Sequence, residues 1–204
     1  MHRIKVQNYS KNIKQAKILE NISIEFESGK TYGLVGRNGS GKTMLLRALA
    51  RLIMPSSGTI QFNGIDLSNP DAIKLRPGIV LEHAEMYPYL TGYDNLKFLA
   101  SINNLITSKE IINAMIRVGL DPNDVRIYKK YSLGMKQRLA IAQAIMEKPD
   151  YLLFDEPTNA LDSEGLELWR AIISDESERG AIIVLCSHSK QEIQTLCHVV
   201  YTIS

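Results

Sequence analysis

The sequence predicts an α/β fold. A mostly parallel sheet is covered by helices on both faces, with a small antiparallel β region at the amino terminus and a helical insertion within the core. Three observations carry this reading. Residues 31–35, 151–154 and 181–186 are short apolar runs, the length of strands buried on both faces. Helix-period segments at 165–174 and 190–197 separate the later runs, so the connections are crossovers and the strands pair in parallel. From about residue 82 to 146 the periodicity is helical instead. The chain is therefore expected to form one domain, with residues 1–82 and 147–204 as α/β core and residues 83–146 as a helical subdomain.

Taken in order, residues 4–6 and 18–26 alternate like half-exposed strands, and Gly29 turns the chain into the strand at 31–35. A helix is expected over 43–53, ended before Pro55. Residues 59–62 read as a strand whose turn is Asn63-Gly64. Thr107 and Glu110 form a capping box, and Gly119 is placed to end the helix it opens. The last strand is expected at 199–203. There is no internal repeat and no low-complexity linker.

Composition excludes several functions. A net charge of +2 is too near neutral to argue for a nucleic-acid partner. Cys186 and Cys197 have neither CxxC nor metal-ligand spacing and read as buried reduced thiols, which suits the cytosol. No apolar run approaches the roughly 18–20 residues of a membrane span. The amino terminus, MHRIKVQNYSKN, is charged and alternating, unlike a signal peptide. Any membrane role is expected to come through a partner.

Gly36, Arg37, Asn38, Gly39, Ser40, Gly41, Lys42 and Thr43 spell GRNGSGKT, the G-x-x-x-x-G-K-[ST] pattern between an expected strand and an expected helix. Such a loop turns backbone N–H groups inward around phosphate oxygens at the positive end of a helix. Lys42 is expected at the β- and γ-phosphates and Thr43 on Mg²⁺. The fold class narrows to a P-loop NTPase. With no NKxD-type guanine-reading motif, the nucleotide is expected to be ATP.

The apolar run 151–154 ends in Asp155-Glu156, at the strand end where parallel sheets bind ligands. Asp155 is placed to hold Mg²⁺, and Glu156 to accept a proton from the attacking water. His188 follows another apolar strand. A histidine there is either a structural hydrogen-bonder or a catalytic group, and its position beside the γ-phosphate favours catalysis.

These residues resemble the ATP-binding cassette family, as the nucleotide-binding subunit of a transporter. Residues 36–43 look like its Walker A, 151–156 its Walker B, 160–162 its D-loop and His188 its switch histidine. Residues 132–137, SLGMKQ, resemble the signature usually written LSGGQ. The resemblance implies a head-to-tail homodimer, each ATP lying between one subunit's Walker A and the other's Ser132 and Gly134. Asp162 and Thr31 join the expected nucleotide-binding residues, and Tyr9 resembles the aromatic that stacks on adenine. Bottom-up, Ser132 caps a helix, so its hydroxyl and nearby N–H groups make an anion site.

Three departures stand out. Glu82 occupies the place of a glutamine that contacts Mg²⁺ and water, and is expected to contact the metal or water itself. Leu133 and Met135 vary the signature, in a form similar to cassettes that drive antimicrobial-peptide exporters. The chain ends at Ser204, soon after its last expected strand, so no carboxy-terminal regulatory domain is expected. Met86, Tyr87, Tyr89 and Leu90 form either a permease-facing patch or local core. The expected function is an ATPase engine for an integral-membrane permease, with the chain peripheral on the inner face of the membrane. The alternative is a soluble cassette acting on ribosomes or DNA.

Overall fold

The computed structural model describes residues 1–69, 76–81 and 85–204. The strands are β1 (Arg3–Ile13), β2 (Ala16–Glu27), β3 (Thr31–Val35), β4 (Ser57–Phe62), β5 (Ile65–Asp66), β6 (Gly78–Val80), β7 (Tyr151–Asp155), β8 (Ile182–Cys186) and β9 (Val199–Thr202). The helices are α1 (Lys42–Leu49), α2 (Gly92–Asn103), α3 (Ser108–Arg117), α4 (Leu133–Ile145), α5 (Ser163–Glu178) and α6 (Lys190–Leu196). An antiparallel sheet has the order β2-β1-β4-β5, and a parallel sheet the order β6-β7-β8-β3-β9. Membership of the P-loop α/β class and the small antiparallel region are as the sequence predicts.

β7 and β8 are buried along their whole length, so the sheet divides two cores. The period of two sends Tyr151, Leu153, Ile182, Val184 and Cys186 towards α1 and the antiparallel sheet. Leu152, Phe154, Ile183 and Leu185 face the other way, into a core shared with α2 to α5. There Phe154 meets Trp169 of α5 edge to face, with ring centroids 4.7 Å apart. Arg117 of α3 and Arg179 both donate to the buried Glu176 at 2.7 Å, which ties the helical layer to α5.

Local signals act as expected at several ends. Asn63 and Gly64 both have positive φ, as a tight hairpin turn between β4 and β5 requires. The Thr107 capping box opens α3, and Gly119, at φ +73°, lies just past its end. α1 is shorter than the expected 43–53, because Arg51 turns left-handed (φ +61°) and its N–H bonds back to Ala48 O. β1 runs through Tyr9 to Ile13, well past the expected 4–6.

Tyr9 is fully buried among Ile60, Leu67 and Ala48, and its hydroxyl has no partner among the described residues. A buried hydroxyl without a partner adds a desolvation penalty and no bond. Tyr9→Phe is therefore expected to leave stability unchanged or raise it, whereas Tyr9→Ala lowers it by about 3–5 kcal/mol. Thermal and denaturant melts of the two variants check this; a large loss in Tyr9→Phe would show that the hydroxyl is bonded.

Candidate functional site

One row of pairing aligns the ends of three strands. Leu34 of β3 pairs with Cys186 of β8, and Cys186 pairs with Asp155 of β7. The segments that follow these strands, 36–41, Ser187-His188 and Glu156, consequently leave the sheet side by side. They line a cleft of about 460 Å³ with Asn38, Gly39, Ser40, Gly41, Lys42, Thr43, Asp155, Glu156, His188 and Ile18.

The loop is shaped around its lysine. Lys42, 9% exposed, donates from Nζ to Gly36 O at 2.9 Å and Arg37 O at 3.1 Å. Gly41 has φ +95° and lies against β2, where a Cβ would come within 2.7 Å of Ile18 O. Only glycine meets both conditions. Ser40 Oγ is buried without a partner among the described residues, pointing to a ligand oxygen it can bond. The first N–H groups of α1 lack intrahelical partners and suit an anion. Gly36 and Arg37 contribute carbonyls, while the Arg37 side chain is exposed away from the cleft lining.

Asp155 is 6% exposed. Glu156, the next residue, is in the left-handed region at φ +49°, and its N–H donates to Cys186 O at 3.0 Å. A non-glycine residue there is uncommon and strained by about 1–2 kcal/mol. The turn sends the Glu156 carboxylate to His188. Oε2 accepts the His188 N–H at 3.3 Å, and Oε1 lies 3.5 Å from the ring Nε2. Burial pushes the Glu156 carboxyl above its ordinary 4.5, against the opposing pull of the His188 N–H and ring. Ser187 Oγ accepts from Ser189 N and Ser189 Oγ from Glu192 N, which secures the His188 turn at the head of α6.

Mg²⁺ fits the donors present. Thr43 and Asp155 offer a hydroxyl and a carboxylate in the cleft that holds Lys42, hard oxygen ligands of the type Mg²⁺ takes alongside phosphate oxygens. Glu82, the third expected metal residue, lies outside the described residues.

Ser132, Gly134 and Asp162 are brought together elsewhere, in a second cleft of about 310 Å³ with Arg126 and Arg138; it shares no lining residue with the first. Ser132 Oγ caps α4 by accepting Met135 N–H at 3.2 Å. Asp162 caps α5 through Gly165 N–H at 2.9 Å and takes a 2.6 Å bond from Arg138 Nη2. Those two partners, the amide first, hold its carboxyl below the usual range.

Two expected nucleotide contacts are corrected. Tyr9 is inside the core between the two sheets and α1, so it has no face to offer a base. Thr31 is at the amino-terminal end of β3, about 13 Å of strand from the loop, and donates its N–H to His198 Nδ1 at 3.0 Å. Sequence reasoning missed Ile18, which lines the cleft; its signal was only an apolar residue opening the run 18–26. Gln137, the last residue of the signature-like run 132–137, donates to Pro157 O at 2.9 Å. Cys186 is buried and Cys197 half-buried, with burial pushing the Cys197 thiol up to about 12.

A glycine loop and an acidic pair at the ends of two parallel strands that flank a third, β8, define the class of P-loop NTPases. The chain matches the ABC transporter family over residues 19–159 and belongs to it. It is 46% identical to the uncharacterized ABC transporter ATP-binding protein YybJ of Bacillus subtilis (strain 168), covering 96% of this chain and 90% of that one. It is 36% identical to the bacitracin transport ATP-binding protein BcrA of Enterococcus faecalis, over 97% of this chain and 65% of that longer one. It is also 36% identical to the lantibiotic transport ATP-binding protein SrtF of Streptococcus pyogenes, over 95% and 83%. In fold it is similar to the ATP-binding subunit of an ABC transporter (TM-score 0.89, 22% identity, 98% and 85% covered). The dimeric bacterial cassette MJ0796 is similar in fold as well (TM-score 0.88, 22% identity, 98% and 94% covered).

The raised Glu156 carboxyl has a consequence for stability. The folded chain holds this proton more tightly than the unfolded chain, so stability falls as pH rises from 4.5 through the folded value. Glu156→Gln removes that loss. The variant is expected to melt higher than wild type near neutral pH, with the gap closing below about pH 4.5. Melts across that range test it; a gap that widens in acid would reverse the sign.

Proposed function

We propose that this chain powers the export of a peptide or peptide-like antibiotic through a separately encoded membrane permease, as a homodimer with two ATP molecules at its interface. The separation of Ser132 and Gly134 from the chain's own phosphate loop carries this reading. An anion site without a nucleotide loop of its own is complete only when it faces another. Two copies set head to tail about a twofold axis supply that twice, the simplest closed assembly.

In this reading residues 36–43 hold the triphosphate, and Lys42 exchanges the Gly36 and Arg37 carbonyls for phosphate oxygens. Thr43 and Asp155 would hold Mg²⁺, which supplies charge neutralisation at the phosphates. Glu156 takes the proton of the attacking water, and its raised pKa matches that task better than an ordinary carboxylate would. His188, its Nε2 3.5 Å from Glu156 Oε1, orients the reacting groups beside that carboxylate. Ser132 and Gly134 contact the partner copy's nucleotide, with Asp162 beside them. Glu82 is assigned to the metal or its water from the resemblance.

The relatives named for bacitracin and lantibiotic transport support a peptide-type substrate. No helix among the described residues is long and apolar enough to cross a membrane, and in this reading a separately encoded permease provides the path. Tyr87, 52% exposed, packs edge to face on Phe98, and Tyr89 is 72% exposed, an apolar surface suited to that partner, whereas Met86 packs into the core. The chain would then sit on the inner face of the membrane. Residues 83–146 would move as a helical unit against the core of 1–82 and 147–204.

Glu156→Gln is expected to slow ATP turnover by about 10²–10⁴ and to leave an ATP-stabilised dimer. Steady-state turnover with size-exclusion chromatography in MgATP measures both, and near-wild-type turnover would remove Glu156 as the base. Ser132→Arg is expected to abolish hydrolysis while the monomer still binds ATP. Loss of monomer binding as well would contradict a site shared between copies.

A further inference from the structure

Arg126, in the loop before α4, is held by one edge and open at the other. The Asp124 carboxylate accepts from Arg126 Nε at 3.0 Å with both oxygens and from Nη2 at 2.6 Å, and its Oδ1 also takes the Arg126 backbone N–H at 3.0 Å. A guanidinium is planar, so a carboxylate on the Nε–Nη2 side fixes the direction of the remaining edge. Arg126 Cζ is 6.0 Å from the ring centroid of the buried Tyr131, the residue before Ser132. Nη1 has no partner among the described residues, and the side chain is 56% exposed. Arg126 lines the second cleft with Ser132 and Gly134. The other arginine there, Arg138, is 11% exposed and closed off, with Nη2 on Asp162 at 2.6 Å and Nη1 towards Val118 O at 3.4 Å. Three carboxylates line the cleft: Asp124 and Asp162 pair with these arginines, and Asp121 accepts the Asn123 N–H at 2.9 Å.

We infer that Arg126 offers its Nη1–Nη2 edge to the terminal phosphate of the nucleotide held by the partner copy, with Asp124 as the positioning residue that aims it. The inference rests on the shared-site reading of Ser132 and Gly134. Arg126 belongs to the partner's nucleotide because its own copy's phosphate cleft shares no lining residue with this one. Two N–H groups on one guanidinium edge match two phosphate oxygens. Arg126 makes and breaks no covalent bond here. It neutralises charge that spreads over the phosphoryl oxygens as water attacks, the task of an arginine supplied from outside a phosphate loop. Asp124 fixes the edge before the nucleotide arrives, so little side-chain freedom is lost at that moment.

The test measures MgATP turnover by the full chain. Arg126→Ala is expected to lower kcat by about 10²-fold or more, while the monomer binds ATP as wild type does. Arg126→Lys, which keeps the charge without the fork, recovers part of the loss and carries the same test should the alanine variant melt early. Asp124→Ala breaks the same ion pair but leaves the guanidinium in place, and is expected to cost no more than about tenfold. Equal losses in Asp124→Ala and Arg126→Ala would make the pair merely structural and overturn the inference. Arg126→Ala is then mixed with an equal amount of Glu156→Gln before ATP is added. Half of the dimers are mixed and each has one intact site, so turnover is expected to recover to about a quarter of wild type. No recovery places Arg126 in its own copy's site and overturns the inference. Wild-type turnover in Arg126→Ala, with Ser132→Arg inactive, overturns it alone. If Ser132→Arg also turns over normally, the shared-site reading fails first and this inference with it.

Discussion

The pairing row Leu34–Cys186–Asp155 is the constraint on which the site depends. Parallel strands share a direction, so a fixed register places all their carboxyl ends at one edge, and adjacent strands are about 4.8 Å apart. The loop from β3, the His188 turn from β8 and Glu156 from β7 fall within reach of one small anion for that reason. Burial holds the register: every residue of β7 and β8 is buried, and a one-residue slip would exchange the side chains of the two cores. Tyr151 and Leu153 would then leave the α1 side for the Trp169 side, where shapes and volumes differ. Core packing thus sets the positions of the charged groups.

At that edge the chain takes on unfavourable local terms. Glu156 is left-handed without being glycine, and burial raises its carboxyl. Both oppose folding. They persist because the surroundings over-determine the residue, with its N–H on Cys186 O and its carboxylate on the His188 N–H. The same two features aim a relatively basic carboxylate into the phosphate cleft, a direction an unstrained strand end would not give it. Strain and desolvation here have a functional reading, in contrast to the buried Tyr9 hydroxyl, which faces no anion site.

The parts of the molecule legible in the sequence are those written in local chemistry. GRNGSGKT, the Asp155-Glu156 strand end, the Thr107 box and Asn63-Gly64 each carry a spacing that their backbone geometry demands. What escaped depended on long-range packing. Tyr9 reads as an ordinary aromatic near the amino terminus, and only the pairing of β1 with both β2 and β4 shows that it points inward. Thr31 adjoins the loop in sequence, yet a five-residue strand carries its ends to opposite edges of the sheet. Ile18 became a cleft residue through a bulge that no spacing announces. β6, three residues long, is too short to show a period.

The two clefts are distinct, but they are not mechanically independent. The first turns of α4 bear Ser132 and Gly134 at one cleft, and the same turns make three contacts with the segment leaving Glu156. A Cβ on Gly134 would stand 2.8 Å from Ala160 O, Gln137 donates to Pro157 O, and Arg138 bonds Asp162. A close backbone approach, a hydrogen bond and an ion pair spread over residues 157–162 leave that segment little freedom to slide along the helix. Whatever seats an anion on the amino end of α4 therefore bears on the chain that positions Glu156 beside its own phosphate loop. In the proposed dimer, a packed element shared by both nucleotide sites is one route by which they can be coupled. The amino end of α4, braced against residues 157–162, is such an element, through packing that each copy already contains.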